Sequence, residues 1–165
     1  MKATDLVKFA LKTSEDIVNG LVEDLKDCPL QAPTPNGGNH PLWVIGHLAY
    51  SEGALSEIMT GEPNPLAAWQ DLFDAGTDPV EDASHYPSFE EVLSKFKQMR
   101  EATWKLVETL TDGDLDKATE KPPEGIEGFF ANYGQTLLLI GLYTMHHRGQ
   151  LADVRRALGR QPVMI

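Results

Sequence analysis

The chain has 165 residues and a formal net charge of −11, long enough for one self-sufficient core and too acidic for a surface built to neutralise phosphates. Apolar residues make up 41% and charged residues 24%, which excludes intrinsic disorder and reads as a single globular domain over 1–165. Neither nucleic acid nor an anionic membrane is an expected partner. A lone cysteine, Cys28, rules out an internal disulfide, and the first residues lack a signal-peptide apolar core. No apolar run approaches the ~20 residues of a membrane span, so the expected location is the cytoplasm.

In chain order, Thr4 reads as an N-cap, followed by Leu6, Phe9, Ala10, Ile17, Leu21 and Leu25 on one helical face, predicting a helix over 4–27. Residues 29–39 hold three prolines and two glycines and read as a loop. A second helix over 40–60 follows, capped by Asn39, with Pro41 in its first turn, Val44, Leu48, Leu55 and Ile58 on one face, and Gly61 as terminator. Residues 62–87 contain four prolines with Trp69, Phe73 and Tyr86, a long connection that packs on the bundle and has one helical turn around Ala67 to Phe73. Ser88 and Glu91 form a capping-box pattern ahead of Val92, Leu93, Phe96, Met99, Thr103, Leu106, Val107 and Leu110, predicting a helix over 88–110. After a loop through Pro122, Pro123 and Gly125, a last helix over 131–158 carries the apolar stretch Leu137–Leu142, read as buried on most of its surface, and stops at Gly159. No strand-type alternation of useful length occurs, so the predicted class is all-α, a four-helix bundle with a long connection between its second and third helices.

Chemistry concentrates in two segments. The second helix carries Trp43-Val44-Ile45-Gly46-His47-Leu48, and the last carries Tyr143-Thr144-Met145-His146-His147-Arg148-Gly149-Gln150. Tyr143 and His147 stand one helical turn apart, and His47 from a facing helix could meet them at one point, leaving a coordination position open if an ion sits there. The alternative is that these histidines are hydrogen-bonded core residues, the commoner fate of a partly buried imidazole. His146 lies about 100° round the helix from His147 and cannot face the same point equally well. Gly149 inside a helix predicts a close approach by another helix, so Arg148, Gly149 and Gln150 read as packing residues. The arginines Arg148, Arg155, Arg156 and Arg160 read as complements to the helix dipole, and Cys28 as structural.

Gly46-His47-Leu48 in the second helix and His147-Arg148-Gly149-Gln150-Leu151 in the last resemble the two signature segments of the DinB/YfiT-like superfamily. The helix order and the long second connection fit as well, so the resemblance spans the chain. It implies a four-helix bundle, a homodimer, and a divalent metal such as zinc or nickel held by three histidines, one in the Gly-His-Leu segment and two spaced by one turn. Carried over, this assigns His47 and His147 as ligands. The third position falls on Tyr143, where the family usually has histidine. A phenol with a pKa of about 10 must lose its proton to ligate, whereas imidazole at about 6.5 is neutral at pH 7. Three outcomes stay open: Tyr143 ligates weakly, His146 substitutes, or the metal is lost. The resemblance therefore implies a metal-dependent enzyme of thiol-transferase or hydrolase type, with a small molecule or a low-molecular-weight thiol as partner. The alternative is a non-catalytic, small-ligand-binding or stress-associated member with a degenerate metal site.

Overall fold

In the computed structural model, which describes residues 1–28 and 38–161, the helices are α1 Ala3–Leu25, α2 Pro41–Thr60, α3 Gln70–Phe73, α4 Phe89–Thr109 and α5 Tyr133–Ala157. The long helices are the four predicted from periodicity, and α3 with the preceding turn Ala67–Trp69 occupies the long second connection. Of the loop expected over 29–39, residues 29–37 lie outside the described residues. Among the described residues no strand forms beyond one isolated bridge between Ala118 and Asn132, and no helix is long and apolar enough to cross a membrane.

Local capping explains where each helix begins. The α2 cap is His40, not Asn39: its Nδ1 accepts the Trp43 amide at 3.0 Å. Ser88 caps α4 by accepting the Glu91 amide, as the Ser-x-x-Glu pattern predicts. Asn132 does the same for α5 through the Gln135 amide. α1 starts at Lys2 rather than Thr4, and the Asp112 carboxylate accepts from the Thr4 amide at 3.0 Å and the Thr4 hydroxyl at 2.7 Å. This long-range anion at a helix N-terminus complements its dipole. Gly61 ends α2 in the left-handed conformation, φ 77°, where a side chain would be strained.

The helices pack in an order different from the chain: α1 lies against α5, α5 against α2, and α2 against α4. The buried face of α1 is Val7, Leu11, Ser14, Val18, Leu21, Val22 and Leu25, while Leu6 and Phe9 are exposed. That face is rotated from the one periodicity picked, because Ser14 interrupts the correct apolar series and made the Leu6–Phe9 series look longer. α2, predicted to bury one face, is buried on every side from Pro41 to Tyr50, since Leu66, Phe73 and Tyr86 of the connection cover its outer surface. α5, predicted to be buried nearly all round, leaves Leu138 and Leu142 exposed.

The core is split into two apolar clusters. One holds Val18, Leu21, Leu48, Phe73, Phe96 and Leu151 among others; the other holds Val7, Leu11, Met59, Val107, Leu137 and Ile140 among others. Between them in sequence on every long helix stands a buried polar residue: Ser14 on α1, Glu52 on α2, Arg100 and Thr103 on α4, Thr144 on α5. Arg100 Nε donates to Glu52 at 2.9 and 3.1 Å, its Nη1 to the Leu11 carbonyl at 3.0 Å and its Nη2 to Thr144 Oγ1 at 3.1 Å. Thr103 donates to Glu52 Oε1 at 2.6 Å. Burial pushes the Glu52 carboxyl up, against the opposing pull of Arg100 and Thr103. At the far end, Arg155 and Arg160 both donate to Asp24 of α1, which ties the C-terminal end of α5 to that of α1.

Removing one member of a buried ion pair strands the other charge in a low dielectric. Glu52→Ala is expected to lower the unfolding free energy by about 3–5 kcal/mol, and Glu52→Leu combined with Arg100→Met by less than either single change. Urea unfolding of the three variants checks this.

Candidate metal and ligand site

His47 sits where α2 is most deeply covered. Gly46 beside it admits the Phe73 ring so closely that a Cβ there would lie 2.2 Å from Phe73 Cε1. That approach brings the Phe73 carbonyl to 2.6 Å from His47 Nδ1. A carbonyl only accepts, so Nδ1 carries the proton and Nε2 presents a lone pair. The Trp43 ring stacks on the imidazole at 4.5 Å and 9°, and Trp43 Nε1 is itself anchored on Thr77 at 3.0 Å. The orientation of His47 is thus set by two contacts besides the one it makes in the site.

From α5, Tyr143 donates its hydroxyl to His47 Nε2 at 2.6 Å. One turn later, His147 Nδ1 donates to Gln150 Oε1 at 3.1 Å, which leaves its Nε2 as a second lone pair. That atom is buried and has no hydrogen-bond partner. The rings of His47 and His147 are 4.7 Å apart, those of Tyr143 and His147 4.7 Å, and those of His47 and Tyr143 5.5 Å. The structure therefore brings His47, Tyr143 and His147 together. His146 is exposed; its ring stands 5.0 Å from that of His147 and 6.4 Å from that of Tyr143, and no ring contact to His47 is present among the described residues.

The electrostatics of the group follow from its burial. Desolvation pushes His47 below its ordinary 6.5, against the Phe73 carbonyl, and takes His147 down to about 4. It pushes the Tyr143 phenol above its ordinary 10, against a hydrogen bond from Ser51. At neutral pH the site is two neutral imidazoles and one protonated phenol. An unpartnered, buried His147 Nε2, on a ring 4.7 Å from that of His47, fits a divalent ion that would displace the phenol proton from His47 Nε2 and take the phenol oxygen as third donor. Among the described residues no three His, Cys, Asp or Glu side chains gather into a metal site, because the third group here is a tyrosine.

Beside the trio lies a cavity of about 540 Å³ between α2 and α5, closed by Asp74 and Ala75 after α3 and by Ile126 and Phe130. Tyr143 lines it, and neither His47 nor His147 does. The phenol thus stands between the cavity and the two imidazoles.

The sequence profile of the DinB superfamily matches residues 10–151. The chain belongs to the DinB superfamily. Among solved structures it is similar to YfiT from Bacillus subtilis, described as a probable metal-dependent hydrolase with an unusual four-helix bundle topology: 20% identity over 96% of this chain and 89% of that one, TM-score 0.65. At that identity the likeness shows the fold. No curated protein matches the chain.

Sequence reasoning passed over three residues that build this DinB-type site. Gly46 admits Phe73 and so positions His47; a helical glycine next to a histidine was the available signal. Gln150, read as a packing residue, orients His147 and in turn accepts from Asn39 at 3.3 Å. Phe73 acts through its backbone, which no side-chain pattern reveals. Gly149, expected at a close helix approach, has nothing within 4 Å of where its Cβ would be. The close approach on α5 is at Gly141 instead, where a Cβ would lie 3.3 Å from the Ala10 backbone.

Because the folded pKa of His147 lies below its ordinary 6.5, at about 4, the unfolded chain takes up a proton in that window that the metal-free native state refuses. Stability is unaffected above pH 6.5 and falls as pH drops towards 4, by about 3 kcal/mol at the lower end. Urea midpoints across this range should fall less steeply in His147→Gln than in the parent.

Proposed function

We propose that the chain is a hydrolase-type member of the DinB superfamily, with a divalent ion held by His47 and His147, Tyr143 as a weak third donor, and a small molecule in the adjoining cavity. One observation carries this reading: the His147 Nε2 lone pair, buried without a partner among the described residues, on a ring 4.7 Å from that of His47. A divalent ion bound there supplies Lewis acidity towards a carbonyl or phosphoryl group. The chain's own groups supply the rest. The Phe73 carbonyl and Gln150 hold the two Nδ1 protons, as outer partners do at histidine metal sites, so each imidazole keeps its lone pair on Nε2, that of His147 unpartnered and that of His47 accepting the Tyr143 hydroxyl. Tyr143 stands with its hydroxyl at the boundary between cavity and imidazoles, 2.6 Å from His47 Nε2, and its proton would have to leave that lone pair before an ion takes it. The description of YfiT as a metal-dependent hydrolase is consistent with this reaction class.

A second reading is favoured by the same hydrogen bond seen from the other side. Tyr143 occupies the lone pair of His47 that an ion needs, so the chain would then be a small-ligand binder with a degenerate metal site. Calorimetric titration of untagged, metal-stripped protein with zinc or nickel at pH 7 separates the two. On the first reading the parent binds, His47→Ala or His147→Ala loses binding, and Gln150→Ala weakens it by about 10-fold or more while leaving the ligands in place. Tyr143→His should bind at least about tenfold more tightly than the parent, since imidazole ligates without first losing a proton. Binding unaffected by the two histidine substitutions would overturn the ligand assignment, and a parent that binds no ion would leave the second reading.

Homodimerisation is part of the proposal, supported by the exposed apolar side chains Leu6 and Phe9 of α1 and Leu138 and Leu142 of α5. Sedimentation equilibrium is expected to give twice the chain mass; a monomer at high micromolar concentration would remove it.

A further inference from the structure

The cavity beside Tyr143 is chemically one-sided. Leu55, Leu139, Leu142, Ile126 and Phe130 give it an apolar wall, Asp74 and His146 are the titratable side chains of its lining beside Tyr143, and among the described residues no lysine or arginine takes part. At about 540 Å³ it has the volume of a small-molecule site. Asp74 is held in place: its Oδ1 accepts the Ala75 amide at 2.7 Å, and its Oδ2 is reached by the Tyr50 hydroxyl at 3.5 Å. A carboxylate fixed at the lip of an apolar cavity sets the sign of what can enter, and the net charge of −11 works in the same direction.

We propose that this cavity takes an apolar molecule whose polar end is uncharged or cationic, and that Asp74 rejects anions. This rests on the reading that the cavity serves the Tyr143 site. The structural basis is that the wall offers area for burial and no cation to compensate a carboxylate or phosphate, whose desolvation would go unanswered. Ser51 and the Tyr143 hydroxyl supply hydrogen-bonding groups for a neutral head, and Asp74 supplies the counter-charge for an ammonium. As a substrate class, this is an ester or amide with an apolar body and no acidic group, and a thiol bearing carboxylates does not fit.

The test is a matched set of probes with one apolar body and three heads: phenylbutanol, phenylbutylamine and phenylbutyrate. Binding to metal-free protein is followed through the methyl resonances of Leu139 and Leu142, at about pH 8. The alcohol and the amine are expected to bind, and the butyrate at least about tenfold more weakly. Asp74→Asn should raise butyrate affinity towards that of the alcohol and lower that of the amine, whereas Asp71→Asn, which removes the same charge from an exposed position outside the cavity, should leave the order unchanged. Butyrate binding as tightly as the alcohol, an unchanged gap in Asp74→Asn, an equal effect of Asp71→Asn, or no binding by any probe would overturn the proposal. Because the readout needs no metal, its failure is distinguishable from failure of the metal titration.

Discussion

The buried ion pair of Glu52 and Arg100 is the constraint around which the bundle is arranged. A guanidinium that is 1% exposed must have its donors answered inside the protein, because the interior offers no water to answer them. The answers come from every long helix: the Leu11 carbonyl on α1, Glu52 on α2, and Thr144 on α5, with Thr103 completing the carboxylate from α4 itself. An apolar core alone tolerates some sliding and rotation of helices, since hydrophobic contact is non-directional. Hydrogen bonds from one planar group to three other helices do not. The pair therefore adds little net stability relative to an apolar substitute, yet it defines the rotation of α5 about its own axis.

That rotation is what makes the site. Thr144 points inward to Arg100, and Tyr143, one residue before it, and His147, three residues after it, then face the region where α2 presents His47. On α2 the rotation is fixed by Glu52 on one side and by the contact of Gly46 with Phe73 on the other. The connection between α2 and α4 acts as a third wall: it covers α2, supplies the Phe73 carbonyl to His47, and places Asp74 at the mouth of the cavity. The long segment that its aromatics marked as packing on the bundle is thus also part of the site, in keeping with the tendency of functional groups to come from loops held on a rigid scaffold.

Much of this was legible in the sequence, and the remainder failed for identifiable reasons. Four long helices followed from periodicity and punctuation, and His47, Tyr143 and His147 from spacing together with the Gly-His-Leu and His-Arg-Gly-Gln segments. The face of α1 was misread because Ser14 and Thr4, polar in sequence, are buried by bonding to Leu11 and Asp112. Arg100 went unnoticed for the same reason: a charged residue on an apolar stripe reads as surface until a partner such as Glu52, 48 residues away in sequence, is known. Periodicity reports which residues are greasy, and it cannot report which polar groups have found each other. The reversal between α2 and α5, the first buried all round and the second partly exposed, depends on where the connection lies, and that is a property of tertiary packing alone.

The tyrosine at position 143 shows how one substitution reassigns a lone pair. His47 Nε2 and His147 Nε2 are both left unprotonated by partners on their other nitrogens, a preparation suited to ligands. With a third imidazole at 143 the group would hold only lone pairs, and a cation would be the natural way to satisfy them. The phenol instead brings a proton of its own and donates a hydrogen bond to His47, so one lone pair is satisfied internally while that of His147 is not. The site is half answered. Burial keeps the phenol protonated, and the Asp74 charge pulls the same way, so the proton is displaced only by something that binds the phenol oxygen more strongly than the proton does or that satisfies His147 without disturbing it. A divalent cation that the imidazoles also hold, such as zinc or nickel, can do the first. A molecule in the neighbouring cavity would meet Tyr143 and neither imidazole, so it would act on the trio only by changing what the phenol hydroxyl is bonded to.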